Sequence, residues 1–401
     1  MIPSRACEHS NRAIRIRRSP VVEAAMANPR PLNILRVITW LPVGGIERKI
    51  LAVLPRLARE RFRVRLVCLR ERGPLADELE TLGVPVDECP MRSRLSPSGI
   101  LGLSALMRKH RIDIVHAHMY RSAVPATIAA HLARVPVVIT QVHNVDTWET
   151  RRQRWLDSFL CRWRSAVVGV SECVRRDITR NLSIPEEKVH VLYNGVEVER
   201  FGGGGRRAAV RAALGLAPDD VAIIYHGRLV SQKNPEALVK IACEVAQRRK
   251  GVVVLVAGDG PRREDLERMA ADRNVSGTIR FLGRRDDIPD LLQAADIYVL
   301  PSLKEGFSNA LIEAMAAGLP AVATDVGGNA EAVEHGRSGW IVPPRNDGLL
   351  LNAVAALVDD AAERARMSQE ARKRARFFSV ENMIANVESL YIKLAREAGI
   401  V

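Results

Sequence analysis

EGFSNALIEAMAAGLP, residues 305–320, holds two glutamates with seven residues between them. ALIEAMAA is a strong helix-forming run. Ser308 or Asn309 ahead of it is a good N-cap, and Gly318 and Pro320 end it. With Ser308 as the cap, Phe307 and Ile312 fall at the two positions of a hydrophobic staple. Glu305 then stands in the loop before the helix and Glu313 in its second turn. The bare N–H groups of a helix N-terminus favour anions such as phosphates, and flanking carboxylates accept hydrogen bonds from sugar hydroxyls. A junction offering both suits a nucleotide sugar.

The flanks of this helix decide the fold. IYVL (297–300) precedes it and AVAT (321–324) follows it, so the helix joins two strands of a parallel sheet. The same alternation runs from LNILRVI (32–38) onward, and its order repeats. Strands are predicted near 32–38, 63–69, 112–116, 136–140, 166–170 and 189–191. A second series is predicted near 221–226, 251–257, 279–282, 297–300, 321–324 and 339–342. Between them YNGVEVERFGGGGRRAAVRAALG is rich in glycine and charge and marks a boundary near 200–215. GGGG (202–205) reads as linker there, because no strand leads directly into it. The expected class is α/β, with two Rossmann-like doubly wound domains over 31–205 and 206–379 facing a central cleft. Ligands of such sheets lie beyond the carboxyl ends of the strands, so the cleft is the expected site.

A chain of 401 residues, 47% of them hydrophobic, buries a large core and suits two domains. Apolar stretches such as VPATIAAHLARVPVVIT are cut by His131, Arg134 and Pro136 before the ~18 uninterrupted residues a membrane span needs. The six cysteines are scattered singly with no C-x-x-C pair. Neither a disulfide framework nor a zinc site is indicated, and a cytoplasmic setting is expected. The net charge of +14 asks for an acidic partner: nucleic acid, anionic lipid or a phosphorylated substrate. Residues 1–30 lack the apolar segment of a signal peptide and read as a basic, disordered arm, within which Met26 offers an alternative start. Nucleic-acid binding would need stacking platforms or a recognition motif, and neither is found, so no nucleic-acid partner is expected.

Loops at predicted strand ends supply candidate ligands. WLPVGGIERKI (40–50) places Gly44 and Gly45 where backbone N–H groups approach a ligand, or where a tight strand-to-helix turn needs them. HGRLVSQKN (226–234) supplies Arg228 and Lys233, a guanidinium fork and a mobile ammonium suited to a diphosphate; two solvated loop charges is the plainer reading. No D-x-D pair follows a strand, since the aspartates of RRDDIP are adjacent, so no metal ligand is assigned.

These segments, GGIER, HGRLVSQKN, VAGDGP, the run from FLGRRDDIP through EGFSNALIEAMAAGLP to VGGNAEAV, and GRSGWIVPP, resemble the retaining glycosyltransferases of family 4, which share the GT-B fold. The resemblance is strong over about 190–380 and weaker but continuous over about 32–190. It implies that Glu305 holds hydroxyls of the donor sugar, Glu313 holds the ribose, and Arg228 and Lys233 grip the diphosphate. It further implies that His143, in ITQVHNVDTW, faces the sugar near the reacting centre and that Gly44 and Gly45 close over donor and acceptor. Gly306, Phe307, Ser308, Asn309, Ala310 and Leu311, with Gly258 and Arg285, complete the expected nucleotide-sugar site. In related folds the final helix, here 380–401, packs back on the first domain. The implied reaction moves a sugar from a UDP- or GDP-linked donor, with no cofactor, to a saccharide or polyprenyl-linked acceptor in cell-surface polysaccharide biosynthesis. Alternatives are a GT-B epimerase or phosphorylase, and, from another class, a basic nucleic-acid-binding protein. Cleaving a sugar–phosphate bond leaves negative charge on the diphosphate, which preorganised cations stabilise. Metal-independent, front-face chemistry is the expectation.

Two further features stand apart. His116 and His118 share one face of a strand and with His143 imitate a metal triad, although strand-end histidines are commonly core or cleft residues. In WETRRQRWLDSFLCRWRS (148–165), Trp155, Leu156, Phe159, Leu160 and Trp163 form a stripe, with Arg151, Arg152, Arg154, Arg162 and Arg164 around it. This fits a helix peripheral to an anionic membrane surface at the inner face of the plasma membrane, or a core helix.

Overall fold

The structure, a computed structural model, describes residues 30–41, 45–145, 150–203 and 205–401, with backbone alone at 45–48. The basic arm up to residue 29, Gly44 and Trp148 lie outside the described residues. Strands β1 (Leu32–Ile38), β2 (Phe62–Cys68), β3 (Val86–Glu88), β4 (Ile114–His118), β5 (Val137–Val142), β6 (Ala166–Gly169) and β7 (Val189–Val191) form one sheet in the order 3-2-1-4-5-6-7. Strands β8 (Val221–His226), β9 (Val252–Ala257), β10 (Ile279–Gly283), β11 (Ile297–Leu300), β12 (Ala321–Thr324) and β13 (Gly339–Val342) form a second, in the order 10-9-8-11-12-13. Every pairing within both sheets is parallel, with Ile34 between Val64 and Ile114 and Ile223 between Val254 and Ile297. Central strands of this kind are covered on both faces and therefore read as near-continuous apolar runs.

Three strands depart from expectation. β3 is missed in the sequence because VDE at a sheet edge has no apolar run. β4 and β5 run two residues further than predicted, through His118 and Val142, because polar His116, His118 and Gln141 stay in strand and are buried there.

Each sheet is packed on both faces. The Pro97–Lys109 and Met119–Ala133 helices cover one face of the first sheet through Leu103, Met107, Ala126 and Ala130. Its other face is covered by Ile50 and Val53 of the Gly45–Val53 helix and by the C-terminal helix, Val380–Glu397. That last helix buries Met383, Val387, Leu390, Tyr391 and Leu394 among Ile34, Leu66 and Ile114. The chain thus crosses from the first half to the second near 196 and returns near 379, and the two crossings touch. Val196 N–H donates to Phe378 O at 3.0 Å, and Val380 N–H donates to Val196 O at 2.9 Å. Gly195 permits this approach, since a Cβ there would lie 2.7 Å from Ser379 O.

Candidate active site

Strand order reverses between β1 and β4 in one sheet and between β8 and β11 in the other. Loops leaving those strands bound a crevice. In the second half these loops, 227–235 and 301–308, carry the predicted cation and carboxylate into contact. Lys233 Nζ lies 2.5 Å from Glu305 Oε1, and Ser302 Oγ donates to the same oxygen at 2.7 Å. Both partners are largely buried, with side chains 17% and 7% exposed, so the charges are held by each other and not by water.

The helix after Glu305 spans Asn309–Ala317 and is capped by Ser308, whose Oγ accepts the Leu311 N–H at 3.4 Å. Gly318 ends it at φ +86°. Asn309 and Ala310 are half-buried in its first turn, whereas Phe307 and Leu311 are buried in the core. Glu313 Oε2 meets His226 Nε2 at 2.9 Å. His226 closes the apolar run of β8 and was not singled out in the sequence; its one signal is its position at the carboxyl end of the switch-point strand.

Arg228 is exposed, and its guanidinium has no side-chain partner among the described residues. Arg285 is exposed too, but its fork is committed to Asp287 through contacts of 2.8 and 2.5 Å. Gly258 brings two loops flush: at φ +148°, a Cβ there would lie 1.9 Å from Gly227 O. Gly306 does the same across the halves, because its Cβ would lie 2.0 Å from the carbonyl of His143. The first half therefore reaches the Glu305 loop directly. Ser171 Oγ donates to Gly306 O at 2.9 Å, and Asn194 Nδ2, whose oxygen accepts from Lys49, donates to Phe307 O at 3.3 Å. Gly45 opens the Gly45–Val53 helix that carries Lys49. Glu331 completes the junction by accepting the N–H groups of Glu172 and Cys173, both at 2.8 Å, and the Tyr193 hydroxyl at 2.9 Å. A carboxylate at the N-terminus of the Glu172–Asn181 helix is favourably placed. The motif VGGNAEAV contains Glu331, but nothing in the motif says that its partner is in the other half.

His143 stands at the end of a histidine series. Its Nε2 is 3.0 Å from His118 Nδ1, and the His118 ring stacks on His116 with centroids 4.8 Å apart. His116 Nδ1 lies 2.9 Å from the Tyr391 hydroxyl, which accepts from Arg36 at 2.6 Å. Burial first, then the charges of Arg36 and Lys49, push all three imidazoles well below their ordinary value, so they are neutral. Stacked rings do not converge on one point, and no cluster of three or more metal-ligating side chains occurs among the described residues. Beside His143 opens a cleft of about 710 Å³, lined also by Thr39, Arg92, Arg94, Tyr120 and Arg121. Met119, at φ +67°, turns the chain from β4 straight into the next helix and so brings Tyr120 and Arg121 to this cleft. Another cleft, of about 570 Å³, lies among Asn33, Phe62 and Ile112 at the opposite end of the first sheet, out of reach of these loops.

Two doubly wound halves, with paired switch-point loops meeting across a cleft, are the arrangement of the GT-B fold. Residues 43–200 match the model of Glycosyltransferase Family 4, and residues 206–374 match that of Glycosyl transferases group 1. The chain belongs to this family of glycosyltransferases. It is 28% identical over 367 residues to the UDP-Gal:alpha-D-GlcNAc-diphosphoundecaprenol alpha-1,3-galactosyltransferase of Escherichia coli, covering 88% of this chain and 94% of that one. It is also 28% identical over 389 residues to the D-inositol 3-phosphate glycosyltransferase of Streptomyces bingchenggensis, covering 88% and 85%. The fold superposes on Anabaena HepE, solved in complex with UDP, with a TM-score of 0.80 at 22% identity, over 90% of this chain and all of that one.

Proposed function

We propose that this glycosyltransferase retains anomeric configuration and moves a sugar from a nucleoside diphosphate, UDP- or GDP-linked, to a saccharide or lipid-linked acceptor. It needs no cofactor and no metal, and it works against an anionic membrane surface. The observation that carries this reading is the meeting of Lys233, Ser302 and Glu305 beside the N-terminus of the Glu313 helix, with exposed Arg228 on the same loop as Lys233. There the ribose hydroxyls reach Glu313, the diphosphate reaches Arg228, Lys233 and the helix N-terminus, and the sugar lies between Glu305 and His143. Neutral His143 offers a hydrogen bond without adding positive charge beside a developing oxocarbenium. Uridine as the base is supported by the UDP held by HepE and the UDP-Gal used by the E. coli relative. The two relatives act on different acceptors at the same identity, so the acceptor is argued from this chain's own cleft. No helix among the described residues is long and apolar enough to cross a membrane. Membrane contact is therefore assigned to the surface helix Arg151–Leu160.

Transfer from a panel of UDP-, GDP- and ADP-sugars, with and without EDTA, tests the donor and the metal. Activity should survive EDTA. Lys233→Ala should lower turnover about 10²–10³-fold, the usual loss of one preorganised donor at developing charge. Arg228→Lys should also be costly, because an ammonium cannot reproduce a two-pronged phosphate contact. EDTA-abolished activity restored by Mg²⁺ or Mn²⁺, with both variants tolerant, would overturn the mechanism.

A further inference from the structure

The cleft beside His143 is lined by four arginines from three segments: Arg70 after β2, Arg92 and Arg94 from the loop after β3, and Arg121 in the first turn of the Met119–Ala133 helix. All four are exposed, and among the described residues no Asp or Glu lines the cleft and none of the four has a carboxylate partner. Several other arginines of this half are paired with carboxylates. Arg72, two positions from Arg70, pairs with Asp77 and Glu80; Arg65 pairs with Asp87 and Arg61 with Glu388. Like charges converging on one concavity repel unless an anion sits among them. The guanidinium of Arg94 is steadied 4.9 Å over the ring of Tyr120, which lines the same cleft. A guanidinium fork matches two phosphate oxygens. At about 710 Å³ the cleft has the capacity of an ordinary small-ligand site. His143 belongs both to its lining and to the Gly306 contact, so the cleft borders the loop that carries Glu305.

We propose that this cleft takes an acceptor that itself carries a phosphate or diphosphate, held by Arg70, Arg92, Arg94 and Arg121 so that a hydroxyl of the attached saccharide faces His143 and Glu305. The proposal rests on the glycosyltransferase reading of the donor site and names its second substrate by charge. Soluble sugar phosphates and polyprenyl diphosphate carriers share the required chemistry.

The test is calorimetric titration of the full chain with inorganic pyrophosphate while UDP saturates the donor site. Wild type, an Arg92→Ser/Arg94→Ser double variant and Arg228→Ala are compared. Pyrophosphate should bind alongside UDP, and the double variant should lose at least about tenfold in that affinity, as expected for losing charge-assisted hydrogen bonds. Arg228→Ala should weaken UDP and leave the pyrophosphate event in place. Pyrophosphate that only competes with UDP, or that binds the double variant as tightly as wild type, overturns the proposal. If UDP does not bind at all, the donor reading falls, while the response of pyrophosphate to the double variant still decides the cleft. Displacement of bound pyrophosphate by glucose 1-phosphate marks a soluble acceptor. Displacement by phosphatidylcholine vesicles carrying farnesyl diphosphate marks a lipid-linked one, and displacement by neither overturns the assignment to an acceptor.

Discussion

Glu305 and Glu313 flank one helix N-terminus and answer to different partners, an ammonium for the first and an imidazole for the second. That difference separates their expected variants. Glu313→Ala removes a charged acceptor from the ribose and should cost free nucleoside diphosphate roughly 1.5–3 kcal/mol, about ten- to a hundredfold in Kd. Glu305→Gln keeps the volume and releases Lys233 from its counter-charge. Turnover should fall while UDP binds no more weakly than to wild type. Calorimetry and initial rates on both proteins check this; equal loss of affinity and rate in Glu305→Gln would mean that the two roles are exchanged. At this scale the sequence was informative where a loop concentrates chemistry, as in HGRLVSQK and KEGFSN. It was silent where the partner is distant in the chain. His226 looks like the end of a buried strand, and the four arginines of the acceptor cleft lie on three segments whose convergence depends on strand order.

The Arg151–Leu160 helix shows the same limit for an element. Its stripe of Trp155, Leu156, Phe159, Leu160 and Trp163 suited a core face or a membrane face equally, and the folded helix divides it. Leu160 is buried, Leu156, Phe159 and Trp163 pack at the edge of the core, and Trp155 is 70% exposed with Arg151 and Arg152 exposed beside it. Arg164, grouped in the sequence with the surrounding charges, is instead fully buried. It pairs with Asp157 and donates to Thr127 Oγ1 at 3.1 Å. Burial pushes the neighbouring Cys161 thiol up to about 11. Spacing could not reveal this inversion, because a buried ion pair leaves no periodic trace. Two substitutions separate the roles. Arg164→Ala strands a buried carboxylate and should lower unfolding stability by about 3–5 kcal/mol in denaturant titration. Trp155→Ser should change stability by less than about 0.5 kcal/mol yet reduce sedimentation with phosphatidylglycerol vesicles. Vesicle binding indifferent both to lipid charge and to Trp155 would leave the helix as core edge alone.

For the whole molecule, the repeat of strand and helix lengths was enough to give two parallel sheets, because strands buried on both faces cannot hide their apolar runs. It did not give their order or the contact between the two crossings at Val196 and Ser379, which depends on a backbone approach that Gly195 alone makes possible. The second half closes its sheet with helices drawn from its own stretch of chain. The first half does not, since one face is sealed by Met383, Val387, Leu390, Tyr391 and Leu394. At about 1.5–3 kcal/mol for each large apolar side chain buried, that cover is comparable with the ~5–15 kcal/mol by which a domain is stable. A chain stopped after Ser379 should be cut rapidly within residues 30–195 in limited proteolysis while the second half resists; uniform resistance would show that the first sheet manages without its cover.

Tyr391, on that same helix, touches Arg36 and His116 beneath the histidine series that ends at His143. During synthesis the half that leaves the ribosome first is thus the last to be finished. Until Val380–Glu397 has emerged, after the whole of the second half, the first half has neither its inner face nor the hydroxyl under its histidines.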